Sequence, residues 1–132
     1  MTHIKNLITA TFTTAAGLII FFLAAFSAQA APANFVNTKI LTSGITQPTN
    51  FRFAPDGRIF ISQITGQLLV YKNGALLPTP AISLPVTTGG DRGLISFTLD
   101  PNFATNNYIY FLYTSTADHQ RISRFTMSGA LS

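Results

Sequence analysis

Two stretches of this chain repeat one another, and the repeat constrains the fold more than any other feature. Residues 51–61 read FRFAPDGRIFI and residues 97–111 read FTLDPNFATNNYIYF. Phe51 aligns with Phe97, Phe53 with Leu99, Pro55 with Pro101 and Asp56 with Asn102, each pair 46 positions apart. Ile59 then aligns with Ile109 at a spacing of 50, because the second turn carries four extra residues. Strand, turn and strand recur in order.

The turn chemistry divides the chain further. A strand over Asn50–Ala54 ends at Pro55-Asp56-Gly57, where proline presets φ, aspartate bonds back to the backbone and glycine tolerates positive φ. Arg58–Gln63 and Gln67–Lys72 are the next strands, separated by Thr65-Gly66 and followed by the hairpin dipeptide Asn73-Gly74. Leu76–Leu84 contains Pro78 and Pro80, which suit an edge strand and exclude a central one. Residues 50–84 therefore read as one four-stranded unit. Pro85–Asp91 connects it to Gly93–Leu99, Tyr108–Thr114 and Arg121–Met127, so residues 85–132 read as a second unit short of its fourth strand. Ala31–Thr49 is a lead-in, with a weakly alternating strand expected over Phe35–Leu41. Repeats of about 40–50 residues built this way are the blades of β-propellers. Apolar runs such as Leu68–Tyr71 barely alternate, as expected of strands covered on both faces.

Residues 1–30 read as a secretory signal. Lys5 supplies the positive start, Ala15–Phe26 is a run without polar side chains, and Ala28-Gln29-Ala30 is a small-x-small cleavage pattern. A membrane anchor over Leu7–Phe26 is the rival, weakened by Thr9, Thr11, Thr13 and Thr14. Export to the periplasm or outside the cell is expected, with no stable anchor after cleavage. Beyond Ala30, seven cations face four carboxylates, scattered rather than clustered. That distribution argues against nucleic acid, which needs a basic patch to neutralise phosphates. The chain has no cysteine, so packing alone must hold it together and no thiolate can bind metal or attack a substrate.

The segments FAPDGRIFISQITGQLLVYKNG (53–74), GDRGLISFTLDPNFATNNYIYFLYT (90–114) and HQRISRFT (119–126), taken in order, resemble the N-terminal blades of the soluble quinoprotein glucose/sorbosone dehydrogenase family. In the second segment that family usually reads close to G-E/Q-x-G-L-L-x-x-A-F-H-P-x-F. Here Asp91 stands at the Glu/Gln position, Ser96 at a frequent Gly and Asp100 at the frequent His. The resemblance implies an all-β fold, the first one and three-quarter blades of a six-bladed β-propeller preceded by a signal-peptide helix. It also implies pyrroloquinoline quinone (PQQ) at the mouth of the central channel, with calcium in many members. Such enzymes oxidise an aldose at its anomeric carbon: a histidine acts as base, the quinone takes the hydride, and an electron acceptor reoxidises it.

By resemblance, Asp91 and Arg92 are the candidate cofactor-site residues. Asp91 would accept a bond from a sugar hydroxyl, and Arg92 would meet a carboxylate of the tri-acid cofactor. The plainer reading is an Asp that caps loop amides and a surface Arg paired with it. His119 lies in an Asp-His-Gln context but enters a third strand, so it reads as a loop histidine. Tyr108, Tyr110, Phe111 and Tyr113 read as strand packing. No catalytic residue and no metal ligand is assigned; any calcium ligands would lie outside the chain. The remaining blades are the expected partners, and alone the chain is expected to be inactive. A secreted, non-catalytic propeller binding module is the alternative, favoured by the departures at Asp91 and Asp100. A free-standing small β-domain is a third.

Overall fold

The computed structural model describes residues 32–128, and the expected signal segment lies outside them. In chain order the elements are β1 (Pro48–Phe53), β2 (Ile59–Gln63), β3 (Gln67–Lys72), β4 (Ala75–Leu76), β5 (Ile82–Ser83), β6 (Leu94–Leu99), the single-turn helix α1 (Phe103–Asn106), β7 (Tyr108–Thr114) and β8 (Gln120–Thr126). They form two antiparallel sheets, β1-β2-β3 with β4 and β5 both on β3, and β6-β7-β8. The fold is all-β, as the turn pattern predicts. Among the described residues no helix is long and apolar enough to cross a membrane.

The repeat is built into the backbone. β1 and β6 are offset by 46 residues at both ends. Both carry a register irregularity at the same place, between Pro48 and Asn50 in β1 and between Leu94 and Ser96 in β6. Phe51 pairs with Ile61 as Phe97 pairs with Phe111. The amide of Ala54 donates to the Arg58 carbonyl across the first turn, at 2.8 Å, and that of Asp100 donates to the Tyr108 carbonyl across the second, at 3.0 Å. A bulge re-aims its strand, so its recurrence at an equivalent position marks one structural unit used twice.

The sheets stack face to face. β2 and β3 turn Phe60, Leu68 and Val70 inward against Phe97, Ile109 and Phe111 of the other sheet, with Leu84, Leu94 and Phe103 closing the core. Phe60 meets Phe103 edge-on at 5.9 Å between ring centroids. Each such side chain contributes about 1.5–3 kcal/mol by leaving water. The two bulged strands also bond directly: Asn50 donates from Nδ2 to Ser96 Oγ at 2.8 Å and to the Phe97 carbonyl at 2.9 Å. Ser96, where the resemblance has a frequent glycine, is therefore a bonding partner between equivalent strands.

One expectation is corrected. Phe35–Leu41 forms no strand; the Phe35 amide instead donates to the Pro32 carbonyl in a turn. Asn37, Thr38 and Lys39 interrupt any alternation, so the stretch has no face to bury. The four extra residues of the turn after β6 form the helical turn α1, ended by Asn107 in the left-handed region. The poor outer strand of the first sheet is present in two pieces, β4 and β5, either side of Pro78 and Pro80.

The outward faces differ from ordinary surface. Phe51 and Phe53 are 57% and 63% exposed, and with Ile59, Ile40, Leu41 and Ile45 they line an apolar groove on the first sheet. On the second sheet Ile122 is 75% exposed.

Candidate functional site

Three turns gather at one end of the stacked sheets: 63–67, 85–93 and 114–119. The middle one carries Asp91 and Arg92. It is tied down along its length. Val86 bridges to Ser115, the Thr87 amide donates to the Thr114 carbonyl at 3.0 Å, and Thr87 Oγ1 donates to the Ser115 carbonyl at 3.0 Å. Gly89 and Gly90 then adopt φ of 109° and 59°, which lets the chain reverse until the Arg92 amide reaches the Gly89 carbonyl.

Gly93 closes the turn at φ 137° and is buried. A Cβ at this position would collide with the Ile64 carbonyl and lie 2.5 Å from Ile64 Cγ1. The close approach lets the Leu94 amide donate to the Ile64 carbonyl at 3.0 Å, and the Thr114 amide donate to the Gly93 carbonyl at 2.9 Å. The second glycine of the motif is thus the point at which one sheet's turn touches the next sheet's first strand.

Arg92 is not paired with Asp91. Its Nη1 lies 2.9 and 3.1 Å from the two carboxylate oxygens of Asp118, and its Nε donates to the Gly89 carbonyl at 3.1 Å. The bond to Gly89 turns the guanidinium back over the turn, toward 115–119 and away from its neighbour in sequence. Asp91 is exposed at the turn, and among the described residues its carboxylate accepts no hydrogen bond. It does not cap the loop amides. Asp118 is held at φ 60° with its amide on the Ser115 carbonyl at 2.9 Å. The adjacent His119 is exposed; its carbonyl accepts from the Ser115 amide and hydroxyl at 2.9 and 3.1 Å. It occupies the turn before β8, the place assigned to it as a loop histidine.

Asp100 lies at the opposite end. Its carboxylate accepts from the Asn102 amide at 2.9 Å, from Asn106 Nδ2 at 2.8 Å and from the Tyr110 hydroxyl at 2.9 Å. These bonds, the Asn102 amide first, hold its carboxyl below the usual carboxylate range. The bond to Asp100 and its charge push the Tyr110 hydroxyl up. Of the other aromatic residues, Phe111 is core, the Tyr113 hydroxyl meets Ser123 Oγ at 3.3 Å, and Arg124 lies over the Tyr108 ring at 4.2 Å.

Among the described residues, no group of three or more His, Asp or Glu gathers as a metal would require. The turns bearing Asp91 and Asp118 hold two carboxylates against Arg92, whose guanidinium is already engaged, while Arg121 stands at the start of β8 opposite Tyr113. Sequence reasoning takes Asn50 for an ordinary strand residue, although its spacing of 46 from Ser96 is the repeat length itself.

A tandem of bulged antiparallel sheets, stacked in register with the repeat and joined by a connecting turn that exposes a carboxylate, defines a class: a repeat-built all-β scaffold. The profile described as Glucose / Sorbosone dehydrogenase matches residues 45–131, and the chain belongs to that family. It is 26% identical over 98 residues to an uncharacterised protein of Synechocystis sp., covering 65% of this chain and 24% of that protein. Among solved structures it resembles a protein of Thermus thermophilus described as an oxidoreductase (glucose dehydrogenase). That match has a TM-score of 0.62 and 26% identity, over 70% of this chain and 28% of the other. The PQQ-bound form of aldose sugar dehydrogenase from Streptomyces coelicolor shares the fold, with a TM-score of 0.58 and 24% identity over 67% and 27% of the two chains. The chain thus spans about a quarter of the length of each relative.

Proposed function

We propose that this chain is the N-terminal portion of an exported PQQ-dependent sugar dehydrogenase, its two sheets being the first two blades of a six-bladed propeller. The observation that carries the reading is the duplicated, bulged first strand, stacked on its own copy in a family of sugar dehydrogenases. A longer polypeptide, like the relatives of which the matched part covers about a quarter, would supply the remaining blades. The apolar groove at Phe51 and Phe53 is the surface that a further blade would cover.

Within this reading Asp91 faces the sugar. An exposed carboxylate on a braced turn is suited to accept a bond from a sugar hydroxyl. PQQ is a tri-acid, and the turn of Asp91 and Arg92 does not fit it: Asp91 would repel it, and Arg92 is already neutralised by Asp118. The cofactor contacts, the catalytic base and any calcium ligands are therefore assigned to the remainder of the longer protein. The chain alone is expected to oxidise nothing. Residues 1–30 would direct export to the periplasm or beyond and then be removed.

The test is dye reduction with an aldose by the longer protein reconstituted with PQQ, beside the 132-residue chain treated in the same way. The reading expects reduction by the first and none by the second. No reduction by the longer protein at saturating PQQ would leave the secreted binding module. That alternative now rests on Asp91 in place of Glu/Gln, because Asp100 lies at the other end of the sheets, in a purely structural turn.

A further inference from the structure

Arg92 and Asp118 are 26 residues apart and belong to different turns. The turn carrying Arg92 has little stiffness of its own. Gly89 and Gly90 both sit at positive φ, and glycine leaves the most backbone freedom of any residue. Two features oppose that freedom from outside. The Thr87 bonds anchor the turn's entry to 114–115, and Gly93 anchors its exit to Ile64. Between the anchors, among the described residues, only Arg92 reaches across, joining the Gly89 carbonyl on its own turn to the Asp118 carboxylate on the neighbouring one. Its Nε and Nη1 are thereby spent on two fixed partners, which uses the planar fork of a guanidinium as a lysine could not.

We propose that Arg92 is a positioning residue: with Asp118 it clamps the 89–92 turn to the 115–119 turn and so holds Asp91 in place for the sugar. The proposal rests on the sugar-dehydrogenase reading only in naming what Asp91 meets; the clamp itself does not depend on it. An exposed pair of this kind adds little to global stability, so its consequence is local.

The experiment is a double-mutant cycle with Arg92→Gln, Asp118→Asn and the pair of them, in the longer protein loaded with PQQ and assayed with glucose and dye. Each single variant is expected to raise KM for glucose about 3–10-fold with kcat and PQQ affinity unchanged. The double variant is expected to be no worse than the single ones. Additive effects would overturn the clamp. So would weaker PQQ binding in Arg92→Gln with Asp118→Asn unaffected, the mark of a direct cofactor contact. Amide hydrogen exchange on the 132-residue chain gives a readout without activity. The Arg92 and Asp118 amides should exchange at least about 5-fold faster in either variant, while the Phe111 amide is unchanged. Unchanged exchange at Arg92 and Asp118 overturns the clamp whether or not the protein oxidises sugar. A longer protein inert in wild-type form would refute the functional reading and leave the exchange result to decide the clamp.

Discussion

Replacing Gly93 by alanine tests how the two sheets dock. Two costs add at this position. An L-residue held near φ 137° is strained by about 1–3 kcal/mol. The new methyl would collide with the Ile64 carbonyl and lie 2.5 Å from Ile64 Cγ1, and relieving such overpacking costs about 1–3 kcal/mol. The collision is with backbone, so rotating a side chain cannot relieve it. Moving apart would stretch the Leu94–Ile64 and Thr114–Gly93 hydrogen bonds. Gly57→Ala is the control: φ there is 85°, but nothing lies within 4 Å of the added Cβ, so it bears only strain. The difference between the variants isolates the docking contact, about 1–3 kcal/mol. Urea unfolding followed by tyrosine fluorescence reads it. With a slope of about 1–1.5 kcal/mol per molar for a domain this small, Gly93→Ala should unfold about 1–2 M earlier than Gly57→Ala. Midpoints within about 0.3 M of each other would refute the claim that Gly93 is required by the approach to Ile64.

Three further outcomes follow from the same geometry. Because the Asp100 carboxyl is depressed, its bonds to Asn102, Asn106 and Tyr110 stabilise the fold above the ordinary value of 3.8 and are lost as pH falls through the lower folded value; Asp100→Asn should therefore flatten the acid limb of a stability–pH curve, and an unchanged limb counts against it. Thr114 is 2% exposed and its hydroxyl has no partner among the described residues, so Thr114→Val should leave thermal stability unchanged or raise it by up to about 1 kcal/mol; a loss above about 1 kcal/mol would reveal a partner. Phe51→Thr with Phe53→Thr should lower binding of an apolar dye to the 132-residue chain while changing its stability by less than about 1 kcal/mol, and undiminished dye binding would move the sticky surface elsewhere.

The strands are legible because their boundaries are written in local chemistry. Pro55-Asp56-Gly57, Thr65-Gly66 and Asn73-Gly74 end strands by setting φ, and the observed ends fall within a residue or two of them. The repeat is legible because equivalent positions take the same backbone register, down to the shared bulge. Phe35–Leu41 misleads because weak alternation says nothing about whether a partner strand is available. The site is legible only in part. The family resemblance points to the turn with Asp91, but the partner of Arg92 comes from 26 residues away, where sequence proximity favours the wrong carboxylate. The need for Gly93 is likewise tertiary: nothing in GDRGL shows that Ile64 lies against it.

If these sheets are wedges of a larger ring, their outer faces are buried in the longer protein, and hydroxyl-radical footprinting of Phe51, Phe53 and Ile122 tests this most directly. All three should label strongly in the 132-residue chain, where more than half of each is exposed, and should be protected when the same residues lie within the longer protein. Equal labelling in both would contradict the stacking of further blades on either face.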